Sequence, residues 1–165
     1  MTSRQLRIPV SAAPGAVPAV RDRVLAQVTA WMVPLEPDQR DVIKLVTSEL
    51  VTNSVVHGHE PITVGLCLDD SRLLLVVHDG SDEPPIRQAG ATDEESGRGL
   101  LLVDALASRN GWSKTAHGKK VWAEFDLPVP APPAQRSLAA RRAEIARSRP
   151  HLYVIPHGLT LAKAP

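Results

Sequence analysis

The sequence predicts an α+β fold, a two-layer sandwich in which helices cover one face of a mostly antiparallel sheet. Two observations carry this reading. Four short apolar segments, at 61–68, 72–78, 108–116 and 119–127, follow one another closely enough to pair locally as strands. Two longer segments repeat apolar residues at helical spacing, and strands that pair locally beside a layer of helices make a sandwich of this class.

The elements follow in chain order. Leu6, Ile8 and Val10 alternate as a short strand does. Val17, Val20, Val24, Val28 and Trp31 recur at helical spacing, with Pro14 and Pro18 near the helix start and Pro34 and Pro37 breaking it. A second helix runs from about Asp38 to His57 and ends at Gly58, read as its C-cap. Strands over Pro61–Leu68 and Arg72–His78 are joined by the tight turn Asp69-Asp70-Ser71. Residues 81–96 are polar, contain Pro and Gly, and show no apolar period; loops of that length are usually functional or disordered. A helix opens at Gly97-Arg98-Gly99 and runs from Leu100 to Ala107, and strands follow over Ser108–Ala116 and Lys119–Leu127. Four of the six residues Pro128–Pro133 are proline, which fits a linker and neither helix nor strand. Beyond it, Gln135–Arg149 is Ala/Arg-rich and compatible with a short helix, and the last residues carry too little apolar content for a second core. The chain is read as one domain over 1–127 with an appendage over 128–165.

Composition narrows the function classes. The chain has 165 residues, 43% hydrophobic and 22% charged, which is ordinary for a globular protein. The net charge of +1 hides an asymmetry: residues 1–127 hold 13 Lys+Arg against 17 Asp+Glu, and residues 128–165 hold 6 against 1. An acidic body argues against nucleic acid as its partner. One cysteine, Cys67, excludes an intramolecular disulfide framework and a Cys-rich zinc site; its apolar strand neighbours place it in the core. His57, His59, His78 and His117 have no coherent metal-ligand spacing, and Trp31, Trp112, Trp122 and Phe125 read as core and edge packing. No run suits a signal peptide or reaches the ~18 apolar residues of a membrane span, so a soluble cytoplasmic protein without a membrane partner is expected.

The second helix carries an anomaly. Stepping about 100° per residue from Val42, the residues Leu45, Val56, Glu49, Val42, Asn53, Val46, His57 and Leu50 fall on one arc. Thr47, Lys44, Ser48 and Ser54 fall opposite, with Val51 and Val55 intruding. Glu49 and Asn53 thus sit four residues apart inside an apolar stripe, one above the other. A carboxylate and an amide there cost free energy unless a metal ion, a ligand, water or a structural hydrogen bond satisfies them. His57, one turn on, suits a helix-capping role or a ligand contact.

Two glycine-containing segments add to this. Val76-Val77-His78-Asp79-Gly80 ends an apolar strand in a hydrogen-bond acceptor and a glycine that permits close approach of a flat ligand, although Asp-Gly also marks ordinary turns. Ser96-Gly97-Arg98-Gly99-Leu100 places glycines and a cation where a helix begins, and the free N–H groups of a helix start suit a phosphate. The spacing matches neither a Walker loop nor a dinucleotide-binding fingerprint.

Taken in order, Glu49-Leu-Val-Thr-Asn53, Asp79-Gly80 and Gly97-Arg98-Gly99-Leu100 resemble the nucleotide-binding fold shared by gyrase, heat-shock chaperones, histidine kinases and DNA mismatch-repair ATPases. Within it, SELVTNSVVHG, VVHDGSDEPP, ESGRGLLLVDALA and GKKVWAEF look like the anti-sigma-factor serine/threonine kinase branch, over about Arg4 to Leu127. The resemblance implies ATP and Mg²⁺ as cofactors. It implies Glu49 as general base, Asn53 as the Mg²⁺ ligand and Asp79 as acceptor from the adenine amino group. Gly80, Gly97 and Gly99 would let the backbone wrap the nucleotide, with Arg98 and residues 81–96 as a phosphate lid and His57 and Leu100 bordering the site. It also implies a sigma factor and an anti-sigma-factor antagonist as partners, the latter as phosphoryl acceptor, and a homodimer. The chain departs from that branch where Ser81 and Asp82 follow Gly80 and where Lys120, in place of a threonine, follows Gly118-Lys119. The alternative is a nucleotide-binding or nucleotide-independent anti-sigma module without phosphotransfer.

Overall fold

A computed structural model describes residues 4–13, 15–69, 71–85 and 99–128. Contacts divide the chain into two units, Met1–Val129 and Pro130–Pro165, and the described residues belong to the first. The linker beyond Pro128, the Ala/Arg-rich stretch and the tail lie outside the described residues, as do Gly97, Arg98 and positions 86–96 of the expected lid.

The elements run β1 (Arg4–Val10), α1 (Ala16–Ala30), α2 (Pro37–His57), β2 (Ile62–Leu68), β3 (Arg72–Asp79), α3 (Gly99–Leu106), β4 (Arg109–Thr115) and β5 (Gly118–Asp126). The strands form one sheet in the order β1-β2-β3-β5-β4, every pair antiparallel. This is the α+β sandwich that the strand and helix periodicities predict.

Local chemistry sets the boundaries. Pro18 sits in the first turn of α1, where the missing N–H has no partner to lose. Pro37 opens α2 behind a capping box, in which Gln39 Oε1 accepts from the Glu36 N–H at 3.3 Å. Asp69 Oδ1 accepts from the N–H groups of Ser71 and Arg72 at 3.0 and 2.8 Å, which closes the β2–β3 turn.

Register explains the core. Ile8, Val64, Val77 and Val121 are successive partners across four strands, and Leu66, Leu75 and Ala123 across three. Residues opposite one another share a face, and all seven are buried against Val24 and Val28 of α1, Ile43, Val46 and Leu50 of α2 and Val103 of α3. The other face carries Cys67, Leu74, Val76 and Trp122, partly exposed, with Glu124 bound by Arg72 at 2.9 Å and approached by Arg109 at 3.7 Å.

Two expectations, for Cys67 and for the buried face of α2, are corrected. Cys67 is out of phase with the buried Val64 and Leu66, so it lies on the second face and is only partly buried. The aromatic set packs in the core and at the edge, as expected: Phe125 is in the core, Trp31 packs against the core, Trp122 is partly exposed over Gly111, and Trp112 is exposed on the edge strand β4. The buried residues of α2 are Ile43, Val46, Thr47, Leu50, Val51 and Ser54, a stripe turned about a quarter revolution from the arc centred on Val42. Leu45 and Val56 are consequently exposed. The reason is chemical: Thr47 Oγ1 donates to the Ile43 carbonyl at 2.7 Å and Ser54 Oγ to Asp79 Oδ2 at 3.0 Å, so both hydroxyls are buried with their hydrogen bonds intact.

Candidate functional site

The last two turns of α2 and the facing ends of β3 and β5 bring the polar residues together. Asp79 closes β3 and is register partner of Lys119 on β5. Both point to the helix side, and their side chains are 0% and 1% exposed. Lys119 Nζ donates to Asp79 Oδ1 at 3.0 Å, the Ser81 N–H donates to the same oxygen at 2.9 Å, and Ser54 Oγ reaches Oδ2. A carboxylate has about four acceptor positions, so roughly one remains. Gly118 holds φ at +135°, a region L side chains rarely adopt, and its backbone lies so close to Asp79 and Gly80 that a Cβ there would clash.

Beside Ser54, and one turn earlier along α2, the chemistry is incomplete. Asn53, adjacent to Ser54, is partly buried, and its Oδ1 has no hydrogen-bond partner, the sole buried side-chain polar atom in that condition among the described residues. Glu49 is also partly buried, and burial pushes its carboxyl above the ordinary carboxylate value. Its Oε2 fills the space beside Gly99 Cα at the start of α3, where a Cβ would collide with it. Glu49 and Asn53 therefore line the rim of the buried stripe, between α2 and the start of α3, and not its centre as the sequence arc implies. An orphaned amide oxygen fits Mg²⁺, a hard cation that takes one or two protein oxygens and completes its shell with water and phosphate. No group of three His, Cys, Asp or Glu able to hold a metal occurs among the described residues.

The other expected residues are distributed as follows. Leu100 is buried in the core at the start of α3. His57 is exposed in the last turn of α2. Gly58 does cap that helix, but in extended and not left-handed conformation, and it packs against the Asp79 carboxyl, leaving no room for a side chain. Gly80 donates its N–H to the His59 carbonyl at 2.6 Å, and the His59–Glu60 backbone fills the space beside it, so the close approach realised there is by the protein's own chain. Gly97 and Arg98 lie outside the described residues.

Two members of the cluster escape the motif reading. Ser54 falls on the face taken for polar. Lys119 is in phase with Val121, Ala123 and Phe125, which are all buried, and a lysine in phase with an inward-facing strand is the signal that finds it. His78, next to Asp79 in sequence, lies on the opposite face and is exposed overall; the partial screening of its ring from water first, then the charges of Lys120 and Arg7, hold its imidazole below the usual value against the pull of Asp79.

Comparison with known proteins agrees with the fold. The histidine kinase-like ATPase domain family matches residues 10–125. Among solved structures, the RsbU and RsbW domains of Rv1364c from Mycobacterium tuberculosis are similar, with a TM-score of 0.59 and 22% identity over 78% of this chain. The match takes in 34% of that longer chain, so this chain spans about a third of its length, and the likeness is one of fold. No curated protein sequence matches. No helix among the described residues is long and apolar enough to cross a membrane.

Proposed function

The chain belongs to the histidine kinase-like ATPase domain family, and from that premise we propose that it is an ATP-binding anti-sigma regulatory factor that phosphorylates a serine or threonine of an antagonist protein. The observation that carries the proposal is the orphaned Asn53 Oδ1, one helical turn from a carboxylate that burial makes more basic than usual. Asn53 supplies one oxygen to Mg²⁺, and the metal, when bound, neutralises charge on the phosphates. Glu49 takes the proton of the acceptor hydroxyl, a role favoured by its raised affinity for a proton. Asp79 accepts from the adenine amino group through its remaining acceptor position. Because its side chain is enclosed, base binding includes a rearrangement of the groups that cover it. Gly97 and Gly99 bring backbone to the nucleotide, Gly80 admits the His59–Glu60 backbone next to Asp79, and Arg98 adds positive charge at the phosphates. His57 and Leu100 border the site, and the sigma factor and a second copy of the chain are its further partners.

The test is incubation with labelled ATP, Mg²⁺ and candidate antagonists. Transfer by the native chain and its loss in Glu49→Ala support the assignment; undiminished transfer by Glu49→Ala removes Glu49 from the mechanism. A second reading, a partner-binding module without phosphotransfer, draws on the enclosure of Asp79 and its three protein donors. Calorimetric ATP binding without transfer supports that reading.

A further inference from the structure

Lys119 does more than the fold requires. An ammonium carries three N–H donors and no acceptor. Among the described residues one donor has a partner, Asp79 Oδ1 at 3.0 Å, and the side chain is 1% exposed, so bulk water does not serve the other two. Unpaired donors on a buried charge are costly. A merely stabilising ion pair needs its remaining groups satisfied to offset desolvation, and among the described residues two of the three Lys119 donors have no partner.

The placement of those donors is specific. Register partnership on β3 and β5 sets a carboxylate acceptor and an ammonium donor side by side, facing the same way. That acceptor–donor pair complements a ring edge that presents an amino donor next to a ring-nitrogen acceptor. Adenine has that edge, with its amino group beside N1. We infer that Lys119 is a base-reading residue that donates to N1 while Asp79 accepts from the neighbouring amino group. This rests on the ATP-binding reading above and adds to it a second, charged contact that fixes which edge of the base enters.

The experiment compares calorimetric binding of Mg²⁺·ATP and Mg²⁺·1-deaza-ATP, in which N1 is replaced by C–H, to the full chain and to Lys119→Met. The native chain is expected to bind the deaza analogue at least about tenfold more weakly, the scale of one charge-assisted hydrogen bond. Lys119→Met is expected to bind both nucleotides alike. A purely structural lysine would weaken both equally on substitution and leave their ratio unchanged, and that result overturns the inference. Equal binding of the two by the native chain also overturns it, with the ATP-binding reading intact. Binding of neither nucleotide overturns both. If Lys119→Met does not fold, equal binding of the two nucleotides by the native chain still overturns the inference.

Discussion

Two polar clusters on one helix stand in contrast. Around Asp79 the donors of Ser54, Ser81 and Lys119 converge on one enclosed carboxylate, and the backbone of Gly118 is packed against it. Around Glu49 and Asn53 the carboxyl is held above its ordinary value by burial, and the amide oxygen has no partner. The first cluster is an enclosed ion pair that supports the fold, and in the second the amide oxygen lacks a partner among the described residues. The difference is one of completeness: a buried charge is tolerated where donors surround it, and a polar atom left without a partner marks where the fold alone does not account for the residue.

The sharpest way to break the contrast is Asp79→Ala. It strands a buried ammonium, and unfolding in denaturant should show a loss of about 3–5 kcal/mol. A loss below about 1 kcal/mol would mean that the cluster is not part of the scaffold. Next comes Asn53→Ala. Removing an unpartnered amide should change the stability of the ligand-free chain by less than about 1 kcal/mol, while Mg²⁺-dependent ATP affinity should fall at least about tenfold.

Glu49→Gln gives a smaller and pH-dependent effect. The folded carboxyl lies above its unfolded value, so the folded chain holds the proton more tightly, and the stabilisation from this group is lost as pH rises through the folded value. Glu49→Gln should therefore melt slightly higher than the native chain at neutral pH, by under about 1 kcal/mol, and the difference should vanish below the ordinary carboxylate range. Thermal melts across pH check the sign. The smallest effect concerns the opposite face. Lys120→Gln removes a charge that holds His78 down, so an NMR titration should find the imidazole closer to its usual value than in the native chain.

Much of this was legible in the sequence, for physical reasons. The elements are read from apolar periodicity, turn residues and glycines, and the Asp69 turn joins β2 to β3 in the pairing that buries Val64 with Val77. The rotation of α2 was not legible, because its apolar count favours an arc centred on Val42 until Thr47 and Ser54 are known to have acceptors inside. Cys67 was misplaced because it is flanked by leucines that face the other way. The motif reading found Glu49, Asn53 and Asp79, each an unusual residue in an apolar setting. It passed over Lys119, whose role depends on a partner 40 positions away and on a register that only the folded sheet supplies.

The central claim is that Asn53 is held ready for a metal–nucleotide complex by a scaffold that does not need it. The most direct measurement is calorimetric titration of ATP, with and without Mg²⁺, into the native chain and Asn53→Ala, with melting of both ligand-free proteins alongside. The expected result is Mg²⁺-enhanced binding by the native chain, loss of that enhancement in Asn53→Ala, and matching ligand-free melts. Equal Mg²⁺-enhanced binding by both proteins would contradict the claim.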